Sequence, residues 1–178
     1  MGNYRRANLV PDLSGITAAE WSFFAGLIEG EGCITINTNN TPSARATGKP
    51  KYRHMTVTFG NTDELLVQWV RTRFGGGLGI LNRTRLTHKY DYKAVYQVAW
   101  RNHNGRQILE GILPYMVSVK KQRAEIALEF ASRIRTKHGG PPLGADEIAS
   151  REIIYDRMRQ TYGDTIHGTR AARQARAN

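Results

Sequence analysis

Residues 17–32, TAAEWSFFAGLIEGEG, constrain the chain more than any other stretch. Thr17 followed three residues later by Glu20 has the spacing of a capping box, in which hydroxyl and carboxylate each satisfy a backbone N–H at a helix start. Trp21, Phe24, Ala25 and Ile28 then recur on one face of the helix, and Gly32 offers its stop. Ser22, Gly26 and Gly30 repeat every four residues and form a ridge with almost no side-chain bulk, where a second backbone can approach closely. Glu29 and Glu31 fall in the last turn, where the helix end carries partial negative charge and each carboxylate costs roughly 0.3 to 1 kcal/mol. If the ridge pairs this helix with a copy of itself, the two Glu31 side chains converge, and like charges that close call for a cation between them. A divalent metal held by hard oxygen ligands fits that need.

The rest of the chain reads as strands and helices in alternation. Residues 33–39 set Ile34 and Ile36 against Thr35 and Asn37, a half-buried strand, and a loop over 41–50 leads into a second strand over 51–59. There Met55, Val57 and Phe59 face inward, with Tyr52, His54, Thr56 and Thr58 outward, so the pair makes a hairpin. Asn61 or Thr62 caps a second helix whose buried stripe is Leu65, Leu66, Trp69 and Val70, and Gly75 to Gly77 end it. Strands follow over 80–86, with Asn82, Arg83 and Arg85, and over 90–100, with Lys93, Val95 and Gln97 on one face and Tyr92, Tyr96, Val98 and Trp100 on the other. Helices over 107–113, 120–137 and 146–162 complete the chain. The expected organisation is an arm over 1–15, one domain over 16–138, a Gly/Pro linker over 139–145, and a C-terminal helix with a basic tail over 146–178. The class is α+β: a four-stranded antiparallel sheet in the order αββαββα, with helices packed on one face. The other face presents Thr35, Asn37, Tyr52, His54, Thr56, Asn82, Arg83, Arg85, Lys93 and Gln97. Arg, Asn, Gln and Thr are side chains that hydrogen-bond to base edges, though a merely solvated sheet face has a similar look.

Composition narrows the partners. The 178 residues are 40% hydrophobic, enough for one core, and carry a net charge of +11 spread along the length, which favours a polyanion such as nucleic acid. No apolar run is long enough for a membrane span, and residues 1–8 lack the hydrophobic segment of a secretory signal. Cys33 is the only cysteine, so no internal disulfide forms and a reducing, intracellular compartment is expected. The five histidines, His54, His88, His103, His138 and His167, have no zinc-ligand spacing. Gly75, Gly76, Gly77 and Gly79 are not followed by the Lys-Ser or Lys-Thr of a phosphate-binding loop.

Residues 24–32, FAGLIEGEG, closely resemble the LAGLIDADG signature of homing endonucleases, with Phe24 for the first Leu and Glu29 and Glu31 at the two Asp positions. A looser resemblance extends over about 16–130. It implies a saddle-shaped sheet over the major groove and the motif helix at a dimer interface through Ser22, Gly26 and Gly30. With one copy of the motif, the chain is expected to form a C2 homodimer on a pseudo-palindromic duplex on the order of 20 base pairs. The resemblance further implies Glu31 as the metal-binding acid, with the Gly30 carbonyl, holding Mg²⁺ or Mn²⁺ for double-strand cleavage, as in intron homing. Pro114 and Tyr115 followed by Lys120 and Lys121 match the context of the family's active-site lysine; Lys120 is preferred, with Lys121 open. Asn61 falls near a solvent-positioning polar residue, while Asp63 stands where relatives have Arg. Two other readings stay open: an RNA-binding intron maturase, and a regulator that binds DNA without cutting. The expected location is at DNA inside the cell, in a bacterial cytoplasm or an organelle.

Overall fold

The computed structural model describes residues 9–38, 53–81, 93–134 and 143–175. Among the described residues five helices and four strands follow one another as α1 (Ala18–Glu31), β1 (Gly32–Thr38), β2 (Arg53–Asn61), α2 (Glu64–Phe74), β3 (Gly77–Leu81), β4 (Val95–Arg101), α3 (Asn102–Ile112), α4 (Val119–Ser132) and α5 (Ala145–Ala175). A single 3₁₀ turn, Leu113–Tyr115, links α3 to the segment before α4. No helix among the described residues is long and apolar enough to cross a membrane.

The capping box at Thr17 forms: Glu20 N–H donates to Thr17 Oγ1 at 3.3 Å, and Thr17 N–H donates to the Glu20 carboxylate at 2.9 Å. The second carboxylate oxygen of Glu20 accepts from Arg73, so the start of α1 is tied to the end of α2. From there α1 buries Phe24, Ala25 and Ile28 as its spacing predicts.

The sheet is antiparallel throughout, in the order β1-β2-β4-β3. Alternation decides which side chains meet the helices. Ile34, Val57 and Trp100 lie side by side across β1, β2 and β4, and Phe59, Val98 and Leu78 do so across β2, β4 and β3. All six are buried, together with Phe74, Ile108, Leu109, Ile112 and Phe130 from the helices, so the helices gather on one face as expected. Phe24 sits at the centre, stacked on Phe74 with ring centroids 4.1 Å apart and edge-on to Trp100 at 5.5 Å. Phe24→Ala is expected to cost about 3 to 5 kcal/mol, lowering the melting temperature by roughly 10 °C or more in thermal denaturation.

Several local expectations are corrected. Asp63, not Asn61 or Thr62, caps α2: its Oδ1 accepts from the Leu65 and Leu66 amides, while Asn61 Oδ1 accepts from Asp63 N–H in the turn before it. The helix therefore buries Val67, Val70 and Phe74 and leaves Leu65 82% exposed. β3 begins at Gly77 instead of Ile80, because the glycine run both turns the chain and starts the strand. Gly75 and Gly76 have φ of +67° and +98°, and a Cβ on Gly76 would lie 2.6 Å from Val98 Cγ1 and 2.9 Å from Trp100 Nε1, which donates to the Phe74 carbonyl. β4 starts at Val95, not Tyr90. α3 starts at Asn102, five residues before the expected Gln107, with Asn102 Oδ1 accepting from Met55 N–H across to β2.

α5 is longer than sequence spacing suggests, running to Ala175 where an end at Tyr162 was expected. It buries Ile154 and Met158. Polar anchors complete the packing. The Arg53 guanidinium pairs with Glu152 and lies 3.3 Å from the Tyr155 ring centroid, a cation–π contact. The Tyr162 hydroxyl donates to the Ile34 carbonyl, so α5 lies along β1, the edge strand. Arg123 of α4 donates to the Thr161 carbonyl at 3.0 Å and stacks on Tyr162 at 4.0 Å.

Candidate active site and nucleic-acid interface

Two surfaces meet where α1 runs into β1. One is the exposed ridge of α1. Ser22, Gly26 and Gly30 are all exposed, and a Cβ added at Gly26 or Gly30 would meet nothing within 4 Å. Glycine in mid-helix costs about 0.8 to 1 kcal/mol against alanine, so two of them facing open space are unexplained by the packing of this chain alone.

The other is the open sheet face. The register places Cys33, Thr35 and Asn37 of β1 beside Thr58, Thr56 and His54 of β2, and Thr56 beside Arg101 of β4, with Gln97 opposite Gly60 and Gly79. Of the residues expected on this face, Thr35, Asn37, His54, Thr56 and Gln97 are on it. Lys93 is exposed just before β4. Tyr52, Asn82, Arg83 and Arg85 lie outside the described residues. Asn37 Nδ2 donates to Thr35 Oγ1 at 2.8 Å, which fixes the amide. Thr56 departs from the expectation of a solvated side chain: it is only 7% exposed, and among the described residues its hydroxyl has no hydrogen-bond partner. An unsatisfied buried hydroxyl costs about 1 to 3 kcal/mol and is a feature to be explained. Burial, with a smaller contribution from the Arg101 charge, pushes the His54 pKa down. Arg101 was not anticipated from the sequence, although the alternation that puts Lys93, Val95 and Gln97 on this face reaches it two residues after Ala99.

At the end of α1 the two glutamates have different surroundings. Glu29 Oε1 accepts from the Val117 and Ser118 amides at 2.9 and 2.7 Å, at the start of α4. Burial pushes its pKa up, but these hydrogen bonds and the Lys120 charge outweigh that and hold it below the usual carboxylate range. Glu31 is exposed, and no protein hydrogen bond engages its carboxylate among the described residues. The helix-end penalty is thus answered for Glu29 inside the chain and left open for Glu31.

Lys120, the lysine singled out in the sequence, lies half-buried against the end of α1. Its Nζ donates to the carbonyls of Ile28, Glu29 and Gly32 at 3.0, 2.7 and 2.8 Å. Burial lowers its pKa, and the Cys33, Glu29 and Glu31 charges partly restore it. Lys121 is exposed one residue on. Asn61 ends β2 at the same end of the sheet as Gly32, since Phe59 pairs with Gly32, but its side-chain oxygen is engaged by Asp63 N–H. Asp63 is spent on the α2 cap.

A hard divalent cation fits this donor set in part. Glu31 offers an unpaired carboxylate, and Lys120 takes the carbonyls on either side of Gly30 while leaving the Gly30 carbonyl unengaged among the described residues. No cluster of three or more His, Cys, Asp or Glu side chains able to hold a metal occurs among the described residues.

No family model and no curated protein matches the sequence. Solved structures do match the fold. The homing endonuclease I-CvuI in complex with its target in the presence of calcium superposes with a TM-score of 0.60 over 81% of this chain and 82% of that one, at 12% identity. The archaeal intron-encoded homing endonuclease I-Vdi141I complexed with DNA gives 0.57 over 80% and 84%, at 14% identity. The LAGLIDADG homing endonuclease I-LtrWI bound to target DNA gives 0.53 at 16% identity, with 86% of this chain covering 47% of that one.

Proposed function

We propose that this chain, which has the fold of the LAGLIDADG homing endonucleases, is a site-specific DNA endonuclease. It works as a C2 homodimer and makes a divalent-metal-dependent double-strand break in a long pseudo-palindromic target. The observation that carries this reading is the exposed, unpaired Glu31 at the tip of a helix whose Ser22, Gly26 and Gly30 ridge is open, beside a polar sheet face. The single motif supports the dimer, and so does the extent of the match to I-LtrWI, of which this chain spans about half.

In that arrangement Glu31 and the Gly30 carbonyl of each protomer would hold Mg²⁺ or Mn²⁺, which would supply charge stabilisation at the scissile phosphate and a more acidic water. The chain's own residues do the rest. The ridge brings the two α1 ends together at the two-fold axis, and the open faces of the two sheets track adjacent half-sites. Thr35, Asn37, His54, Thr56, Gln97 and Arg101 face the duplex, and Lys93 with the net charge of +11 meets its phosphates. The orphaned Thr56 hydroxyl is given an acceptor or donor there, directly or through water. The protein acts at DNA inside the cell, and an intron encodes it, so its target is the sequence formed by joining that intron's flanks.

Incubation of a partly randomised duplex pool with the protein and Mg²⁺, followed by sequencing of cut ends, tests the reading. Recovery of paired cuts at one two-fold-symmetric sequence is the expected result. Absence of cutting combined with tight binding to structured RNA moves the protein to the maturase class.

His54 provides a separate check of the sheet face. The free protein holds it largely neutral near pH 7, whereas nearby phosphates favour its charged form, so binding takes up a proton. Affinity for duplex is expected to rise as pH falls from the bound-state pKa to the lower free-state pKa and to level off below it. Binding titrations across that range should show the slope in the wild type and lose it in His54→Gln.

A further inference from the structure

α1 and α4 cap each other through side chains that lie far apart in sequence. A helix leaves its last four carbonyls and first four amides without intrahelical partners. Here the carboxylate of Glu29, from the end of α1, takes the amide of Ser118, the N-cap of α4, and that of Val117 just before it. In return the ammonium of Lys120, from the first turn of α4, takes the Glu29 carbonyl at the end of α1, shares the Ile28 carbonyl with the Gly32 N–H that closes the helix, and takes the Gly32 carbonyl where β1 begins. An ammonium has three donors, and all three are used, so none is left for a water or a phosphate oxygen. The two capping contacts straddle Glu31: Glu29 lies two residues before it and the Gly32 carbonyl one residue after.

We propose that Glu29 and Lys120 are positioning residues that hold the backbone on both sides of Glu31, so that its carboxylate and the Gly30 carbonyl are presented to the metal in one arrangement. This rests on the metal-dependent nuclease reading. Without the reciprocal cap the last turn of α1 frays, and ordering it falls due when metal binds. The loss then shows as weaker metal binding, with little effect on the rate once metal saturates. A lysine acting on the reacting atoms gives the opposite split, a slower rate at saturating metal with an unchanged metal requirement.

The test uses the full chain and three variants, Lys120→Met, Glu29→Ala and Glu29→Gln, the last keeping an acceptor oxygen for the α4 amides. Amide hydrogen exchange over residues 28–34 and 117–121 reads the cap itself, terbium luminescence with Ca²⁺ competition reads metal affinity without turnover, and cleavage against Mg²⁺ concentration separates half-saturation from saturated rate. Lys120→Met and Glu29→Ala are each expected to speed exchange in both segments and to weaken Ca²⁺ and Mg²⁺ binding about tenfold or more while the saturated rate stays within about threefold, with Glu29→Gln near wild type. If Lys120→Met lowers the saturated rate without moving the metal requirement, and Glu29→Ala behaves as wild type, the proposal falls and Lys120 is a catalytic residue. Faster exchange in the variants with wild-type metal affinity overturns it too, leaving the cap a purely structural feature. A wild type that neither binds terbium nor cuts DNA removes the nuclease reading and this inference together.

Discussion

Glu31→Gln should abolish double-strand cleavage while leaving the fold and duplex binding in place. The substitution keeps the side chain's length and removes only the charge. Glu31 is exposed and its carboxylate makes no protein hydrogen bond among the described residues, so no internal hydrogen bond is lost. At the C-terminal end of α1 a neutral amide is also no worse than a carboxylate, which there opposes the helix dipole. A metal that depends on this ligand loses several kcal/mol of charge stabilisation, equivalent to a rate drop of roughly 10³-fold or more. Affinity for the duplex, set by the sheet face and by phosphate contacts, should hold or rise slightly because a negative charge has left the interface. Cleavage assays against Mg²⁺, with binding measured in Ca²⁺, check both halves. A Glu31→Gln protein that cuts at the wild-type rate would place the metal elsewhere. One that fails to bind DNA would make Glu31 a structural residue.

Much of this arrangement is legible in the sequence because it depends on short-range periodicity. The Thr17–Glu20 capping box and the Phe24, Ala25, Ile28 face of α1 need only helical spacing. Strict alternation puts Ile34, Val57, Phe59, Val98 and Trp100 against the helices and Thr35, Asn37, His54, Thr56 and Gln97 on the open side. What escapes is decided by tertiary contacts. Asn61 and Asp63 are both good caps two residues apart, and the choice between them rests on which amide each oxygen reaches. The glycines at 75–79 read as a stop, yet Gly77 and Gly79 pair with Ala99 and Gln97 in β4, a fact no local signal carries. Glu29 and Lys120 illustrate the limit most clearly. As residues they look like a carboxylate left against the helix dipole and a lysine for the active site. Only the approach of α4 to the end of α1 turns them into a reciprocal cap.

Gly26→Leu should separate folding from function more cleanly than any core substitution. In the single chain a Cβ added at Gly26 meets nothing within 4 Å, and leucine is a better helix former than glycine by roughly 0.8 kcal/mol, so thermal stability of the isolated chain should not fall. The seam behaves differently. Close approach of two helices through Ser22, Gly26 and Gly30 requires backbone contact at these positions, and a leucine on each copy forces the helices apart by about the bulk of two side chains. On the proposed dimeric arrangement the two Glu31 carboxylates then no longer share a site, and neither strand is cut. Sedimentation velocity should show wild type as a dimer and Gly26→Leu as a monomer, and cleavage should fall by roughly 10²-fold or more, the scale on which a misplacement of about 1 Å is felt. A Gly26→Leu protein that stays dimeric and active would mean that the α1 ridge is not the seam, and the unexplained exposure of its glycines would need another partner.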